Sequence, residues 1–359
     1  MRVLAVTEHS DLPETHLLIG LHLKGLHVEV MCPEDAPHIQ KLIRAGITTH
    51  HLRLNSRFDK AGTAEIRQRL LTGDFGILHT FNNKALANCL RASKKLQVKL
   101  IAYRGIEGNV SVFDPISWAT YLNPRVDCII CVANAIRLRF EKIKFFLWKF
   151  PKGKAVTIYK GHNLNWYPPP SISRSDLGLP EDAFIVGCTV NERPRKGLLY
   201  LIKATKYLPK EANVHFVLIG NLNQKKTIEN INNSPVRSKI HALGFRSDAP
   251  QIIALCDACI LPSLRREGLP KGIIEGMIYG IAPIVTDSGG SPELIEHGKS
   301  GLIIAPGSAS SIAEAILKLY MDRRYCRLMG NEARQRINRD FHTNTTVDQT
   351  LQTYRRLTK

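Results

Sequence analysis

The sequence contains no run of about 18 apolar residues, the length that a membrane-spanning helix requires. It also lacks the apolar core of a signal peptide, because the short first stretch, RVLAV, is followed closely by Glu8 and Asp11. These absences predict a cytoplasmic protein whose first residues form a buried strand.

The cysteine spacing of a zinc ribbon is absent as well. The eight cysteines include two Cys-x-x-Cys pairs, Cys128 with Cys131 and Cys256 with Cys259, but the gap between the pairs is far too long for a zinc ribbon. Both pairs stand in apolar, strand-like segments, VDCIICVA and ALCDACILPS. We therefore expect buried structural cysteines.

Acidic residues are scarce relative to basic ones. The 359 residues include 50 Lys and Arg against 31 Asp and Glu, which gives a net charge of +19. The excess is spread along the chain, with 24 basic and 13 acidic residues in 1–170 and 26 and 18 in the remainder. Such a balance indicates an anionic partner, whether nucleic acid, a membrane surface or a phosphorylated small molecule.

Short apolar runs alternate with helical patterns along the whole chain. Six runs stand in the first half and six in the second: RVLAVT, HVEVMCP, FGILHTF, VKLIAYRG, DCIICVA and AVTIYKG, then AFIVGCTV, VHFVLIGN, KIHALGF, ACILPSL, IAPIVTD and GLIIAP. Strands that alternate with helices predict parallel sheets covered on both faces, so two such series predict two doubly wound α/β domains facing a central cleft. Prolines 168–170 prevent both helix and central strand, and they place the linker between domains 1–167 and 171–342.

A charged loop, Asn191-Glu192-Arg193-Pro194-Arg195-Lys196-Gly197, follows the strand AFIVGCTV and precedes a helical segment. Ligands of doubly wound domains collect at the carboxyl ends of strands, and helix N-termini favour anions. The loop therefore predicts a phosphate site, although a charged loop can also be merely solvated.

The stretch REGLPKGIIEGM places Glu267 in a loop and Glu275 eight residues later. Pro270 suits the first turn of a helix, so Glu267 should precede that helix and Glu275 should lie within it. The two carboxylates are then not stacked on one helix face, but they could reach different parts of one elongated ligand. Taken alone, Glu267 could instead cap backbone amides while Glu275 faces water.

The segment ACILPSLRREGLPKGIIEGMIYGIAPIVTDSGGSPELIEHGKSGLIIAPG closely resembles the donor-binding half of the family 4 retaining glycosyltransferases, which have the GT-B fold and an E-x7-E signature. The resemblance runs from about residue 187 to the C-terminus and is looser over the first half. In that fold the last helix returns to the N-terminal domain, so residues 343–359 are expected to pack there.

The resemblance also implies roles for residues of the second domain. Glu275 would bind the ribose hydroxyls of a nucleotide sugar, and Glu267 would bind the sugar hydroxyls together with the backbone at Gly268, Leu269 and Pro270. Lys196 and Arg193 would hold the diphosphate. Because the family usually places the arginine five residues before the lysine, Arg195 competes with Arg193 for this role.

Metal chemistry of the Asp-x-Asp type has no obvious ligands, because that motif does not occur in the sequence. Cations and backbone amides would then stabilise the leaving diphosphate. The resemblance therefore implies a metal-independent enzyme that needs no cofactor besides its nucleotide-sugar donor.

The first half departs from the family where catalytic groups are expected. Many relatives have a histidine after the fourth strand, but KLIAYRG places Arg104 there, and an arginine does not act as a base. Arg104 could bind an anionic acceptor or the donor phosphate, or form a structural ion pair. His79, at the end of the strand FGILHTF, is the other candidate, followed by His162; a lone histidine is often only structural.

Residues 136–155 form a basic stretch with seven cations, one glutamate and five large aromatic residues. A basic helix with aromatic residues is typical of peripheral membrane contact, although an ordinary surface helix has a similar composition. The prediction is a contact with the inner face of the cell membrane.

Together these features predict a retaining glycosyltransferase that acts on an anionic glycan or glycolipid, in lipopolysaccharide or other cell-surface polysaccharide synthesis. No nucleic-acid-binding motif is present, so nucleic acid is not the expected partner. A nucleic-acid-binding protein on a transferase scaffold, a phosphorylase and an epimerase remain alternatives.

Overall fold

A computed structural model describes residues 1–108 and 110–359, and the chain divides into two compact units. The first unit joins residues 1–162 with 341–359, and the second comprises 163–340. Prolines 168–170 lie inside the second unit, where the Tyr279 hydroxyl donates a hydrogen bond to the Pro168 carbonyl at 2.9 Å. The change of unit therefore comes a few residues before the linker that the prolines predicted.

The first unit is built on a parallel sheet of seven strands in the order β3-β2-β1-β4-β5-β6-β9. Its strands are β1 Arg2–Val6, β2 His27–Cys32, β3 Thr48–His51, β4 Ile77–Thr80, β5 Lys99–Arg104, β6 Cys128–Cys131 and β9 Ala155–Thr157. Strand β3 has the sequence TTHH and no apolar run, so it was not predicted. It forms because its backbone pairs with β2 at the sheet edge.

Helices cover the strands of this sheet. They are α1 Leu12–Leu23, α2 Ile39–Arg44, α3 Lys60–Gly73, α4 Asn83–Ala92, α5 Pro115–Trp118, α6 Asn134–Glu141 and α13 Thr343–Thr358. The Asp11 side chain caps α1 by accepting a hydrogen bond from the Glu14 backbone N–H. Helix α13 belongs to this unit because it packs on α1, with Val347 against Gly20, and buries Tyr354 completely.

The basic stretch 136–155 is not one helix, so the interfacial helix predicted there is wrong. Helix α6 ends at Glu141, and a two-stranded antiparallel hairpin follows, formed by β7 Lys144–Phe145 and β8 Trp148–Lys149. Aromatic residues at successive positions favour extended structure over an amphipathic helix, which explains the difference.

The second unit contains a parallel six-stranded sheet in the order β12-β11-β10-β13-β14-β15. Its strands are β10 Phe184–Thr189, β11 Val214–Ile219, β12 Ile240–Gly244, β13 Ala258–Leu261, β14 Ala282–Thr286 and β15 Leu302–Ile304. Its helices are α7 Leu198–Ala204, α8 Lys225–Asn232, α9 Ala249–Ile253, α10 Lys271–Ile278, α11 Ala309–Met321 and α12 Arg323–Asp340. The strand order reverses between β10 and β13, which is where doubly wound sheets bind ligands.

The cores of both units are apolar and contain the cysteines. All eight cysteines are free and buried, which confirms the expectation of structural thiols. Within the described residues, no helix has the length and apolar character that crossing a membrane requires.

Candidate functional site

Side chains and backbone from four strand ends of the second sheet meet at one cavity. Thr189, Gly220, Phe245 and Leu261 stand at or just beyond the carboxyl ends of β10, β11, β12 and β13, and all four line it. The volume of the cavity is about 420 Å³, which suits a small ligand. The site therefore lies at the reversal of strand order, as the fold leads one to expect.

Helix α10 brings Glu275 to the wall of this cavity. The helix begins after Pro270, as the sequence predicted, and Pro270 and Lys271 also line the cavity. Glu275 is only 4% exposed, so it does not face open water. Burial raises the pKa of the Glu275 carboxyl, and the Lys271 ammonium, 3.3 Å away, partly counteracts this effect. A buried carboxylate of this kind can accept hydrogen bonds from ligand hydroxyls.

Glu267 lies in a separate, densely paired environment. Its carboxylate is 5% exposed and accepts a hydrogen bond from Ser263 Oγ at 2.7 Å. Lys196 Nζ lies 2.9 Å from Glu267 Oε1, and Arg195 Nη1 lies 3.3 Å from the same oxygen. Lys196 also lines the cavity, so one residue contacts both the cavity and Glu267.

Two glycines with positive φ hold the loops of this site close together. Gly197 has φ +69°, and a Cβ there would lie 1.9 Å from the Pro262 carbonyl oxygen. Gly289 has φ +58°, and a Cβ there would lie 2.3 Å from the Glu267 carbonyl oxygen. No other residue type fits these contacts, which keep Lys196 and Glu267 within reach of each other.

The remaining predicted residues of this unit differ in their surroundings. Arg193 is exposed, and its side chain forms no ion pair with any residue in the described ranges; Arg195, the competitor, is the arginine that reaches Glu267. Gly268 is buried and Leu269 half-buried beside Glu267. Their backbone N–H groups donate no hydrogen bond within the described chain, so they are free to bind a ligand.

Sequence reasoning missed Thr189 and the pair Phe245 and Arg246. The Thr189 hydroxyl is buried without a hydrogen-bond partner among the described residues, and the residue lines the cavity. Phe245 and Arg246 line it from the other side, after β12. All three stand at or just after the ends of predicted strands, and this position could have identified them as candidate ligand contacts.

Arg104 is buried and held by backbone carbonyls of its own unit, and its predicted ligand contact stays a prediction. It is 3% exposed, and its guanidinium donates hydrogen bonds to the carbonyls of Ile106, at 3.1 Å, and Gly108. Its charge also lies over the Tyr121 ring, 4.8 Å from the centroid. These contacts attach Arg104 to the backbone at Ile106 and Gly108.

His79 and His162 are likewise buried, and a catalytic role for either stays a prediction. His79 is 0% exposed and shares a 2.6 Å hydrogen bond between Nδ1 and the Tyr354 hydroxyl. Burial lowers the pKa of His79 to about 3, so the ring is neutral at physiological pH. The backbone of His162 pairs with residues on either side of His342, where the chain returns to the first unit.

Comparison with known structures confirms the predicted GT-B fold. HepE from Anabaena, in a crystal structure with UDP and glucose, superposes with a TM-score of 0.80 over 99% of this chain and 100% of its own. The sequence identity is 22%, so this likeness concerns the fold alone.

Sequence relatives cover less of the chain. N-acetyl-alpha-D-glucosaminyl L-malate synthase of Bacillus anthracis is 25% identical over 49% of this chain and 46% of its own length. UDP-Gal:alpha-D-GlcNAc-diphosphoundecaprenol alpha-1,3-galactosyltransferase of Escherichia coli is 26% identical over 52% of this chain and 50% of its own. The chain thus spans about half the length of these curated relatives.

The family model described as "Glycosyl transferases group 1" matches residues 171–336. This range includes the cavity, both glutamates and the loop that contains Lys196. The similarity to this family therefore concerns residues 171–336, within the second unit.

Proposed function

We propose that this protein is a retaining, metal-independent glycosyltransferase of family 4. It would transfer a sugar from a nucleoside diphosphate sugar to a hydroxyl of a glycan or glycolipid, in lipopolysaccharide or other cell-surface polysaccharide synthesis. The observation that carries this proposal is the position of Lys196, which lines the cavity as Glu275 does and whose ammonium pairs with Glu267.

This arrangement suits the three parts of a nucleotide sugar. Glu275 would accept hydrogen bonds from the ribose hydroxyls within the cavity, while Glu267 and the free N–H groups of Gly268 and Leu269 would bind the sugar. The diphosphate between them would contact Lys196. Because Arg195 pairs with Glu267, we favour Arg195 over Arg193 as the arginine that accompanies Lys196. Fixed cations at this position would stabilise the charge that develops on the leaving group.

Transfer with retention requires a proton acceptor on the face of the sugar that the leaving group occupies. We propose neither Arg104 nor His79 for this role, because the first stays protonated and the second is fully buried. We propose that an oxygen of the donor diphosphate accepts the acceptor's hydroxyl proton. The bond from the anomeric carbon to the diphosphate breaks, and the bond to the acceptor oxygen forms on the same face.

The acceptor class follows from charge and from the relatives. The net charge of +19 favours an anionic acceptor, and the name of the E. coli relative specifies a diphosphate-linked lipid. We propose an acceptor of that chemical class, a saccharide carried on an anionic lipid, reached from the cytoplasmic face of the cell membrane.

Thermal denaturation of the purified full chain with a panel of nucleoside diphosphates and nucleotide sugars, in the presence of EDTA, tests the donor site. A ligand at about 100 times its Kd stabilises a protein by about 2.7 kcal/mol. We expect this stabilisation from at least one nucleoside diphosphate, and we expect Glu275→Gln and Lys196→Met to abolish it. The matched variants Glu314→Gln and Lys225→Met, both exposed on other helices, should keep it.

Transfer assays with the donor so identified separate the remaining parts of the proposal. The anomeric configuration of the product, read by NMR, should match that of the donor. Full transfer activity in Glu267→Gln would rule out its role in sugar binding, and wild-type shifts in both Glu275→Gln and Lys196→Met would refute the donor site. If the protein instead catalyses phosphorolysis of a saccharide, or epimerisation of the donor without an acceptor, the proposed transfer reaction is wrong.

A further inference from the structure

The hairpin formed by β7 and β8 presents two apolar side chains directly to solvent. Phe146 and Leu147 form its tip and are 91% and 100% exposed. Phe113, on a neighbouring loop, is 84% exposed, and its ring lies 5.9 Å from that of Phe145. Isolated apolar residues are common on surfaces, but a cluster at the tip of a protruding hairpin indicates an interaction site.

The base of the hairpin is firmly attached to the first unit. The Phe150 backbone N–H donates to the Ile143 carbonyl at 3.1 Å, and the buried Phe150 ring lies 5.2 Å from the ring of Phe140. Trp148 packs against Trp118 at 4.9 Å between ring centroids. The exposed tip is therefore presented by a structured support and does not belong to an unattached loop.

Lysines surround this tip without acidic partners. Lys142, Lys144, Lys149 and Lys152 are all exposed, and none forms an ion pair with another residue in the described ranges. Glu141, the acidic residue nearest in sequence, is already paired with Arg137 at 2.6 Å. The hairpin thus combines an apolar tip with a basic, uncompensated flank.

We propose that this hairpin docks the protein on an anionic lipid bilayer, with Phe146 and Leu147 inserted into the interface and the lysines among the lipid headgroups. An apolar tip with basic residues around it, and tryptophan at the boundary, matches the layers of a membrane surface. Two protruding side chains are too few for a stable protein interface, which requires about 800 Å² from each partner. This inference goes beyond the proposed transfer reaction and does not depend on it.

Co-sedimentation of the full chain with vesicles, in the absence of any nucleotide, tests the docking surface. We expect binding to vesicles of phosphatidylcholine with about one third phosphatidylglycerol, little binding to pure phosphatidylcholine, and weaker binding as salt is raised. The double variant Phe146→Ser/Leu147→Ser should lose at least tenfold in partitioning. The control double variant Leu23→Ser/Leu71→Ser removes two exposed leucines from helices α1 and α3 and should bind as the wild type does.

A second pair of variants separates charge from insertion. Lys144→Gln/Lys149→Gln should weaken binding to the anionic vesicles and reduce its dependence on salt. Wild-type partitioning of Phe146→Ser/Leu147→Ser, or no partitioning of the wild type at low salt, would overturn the proposal. So would a dimer in size-exclusion chromatography that only this tip variant loses, because the tip would then be a protein interface. Nucleotide-induced thermal shifts test the donor site in a separate assay, so failure of the docking proposal and failure of the donor site are distinguishable.

Discussion

Replacing Lys196 by methionine removes one of the two cations that contact the buried Glu267 carboxylate. Where no other partner remains, loss of one member of a buried ion pair costs about 3 to 5 kcal/mol. Here Ser263 Oγ, at 2.7 Å, and Arg195 Nη1, at 3.3 Å, would still contact Glu267. We therefore expect a smaller loss of about 2 kcal/mol in the free energy of unfolding, the range of a hydrogen bond to a charged group.

Chemical denaturation followed by circular dichroism measures this loss. For a unit of this size, about 2 kcal/mol corresponds to a fall in Tm of roughly 4 to 8 °C. The control is Lys225→Met, in which the lost lysine is exposed and lies 3.9 Å from Glu229, so its stability should change by less than about 0.5 kcal/mol.

A double-mutant cycle shows whether the loss comes from the pair itself. Glu267→Gln alone removes the charge that Lys196 neutralises, and adding Lys196→Met should then cost less than it does in the wild type. We expect a coupling energy of at least about 0.5 kcal/mol between the two substitutions, which exceeds the deviation from additivity seen for independent sites. Strict additivity would refute the reasoning, because Lys196 and Glu267 would then stabilise the domain independently.

Three further predictions concern stability and reactivity. Gly197→Ala should lower the free energy of unfolding by at least about 3 kcal/mol, because it adds a clash with the Pro262 carbonyl to the left-handed backbone. Gly178→Ala, at φ +64° with open space around it, should lower it by only about 1 kcal/mol. Equal losses for the two variants in chemical denaturation would contradict this. Since burial lowers the pKa of His79 to about 3, the unfolded chain binds a proton below pH 6.5 that the native chain excludes. Stability should therefore fall by about 2 kcal/mol between pH 7 and 5, and His79→Gln should show a shallower pH dependence in denaturation midpoints. The eight buried cysteines should react with Ellman's reagent only after denaturation, and rapid modification of any thiol in the native protein would show that it is accessible.

The sequence alone determined the fold class and the candidate ligand-binding loops. Alternating apolar runs fixed the two parallel sheets, because buried parallel strands read as nearly continuous apolar segments. Pro270 fixed where α10 begins, since proline is excluded from a helix interior but fits its first turn. Strand β3 escaped prediction because its stability comes from edge pairing. The hairpin at 144–149 escaped because the structure of that stretch was predicted from overall composition, whereas the successive positions of its aromatic residues favour extended structure.

Only the tertiary structure decided which polar residues meet. Sequence spacing could not show that Lys196 and Glu267, 71 residues apart, form a buried pair, or that Arg195 contacts Glu267. It also could not show that His79 contacts Tyr354 or that Arg104 contacts loop carbonyls, because those contacts depend on the tertiary fold. Periodicity is a local property of the chain and can be read from it, whereas the solvation and partners of a charge depend on residues distant in sequence.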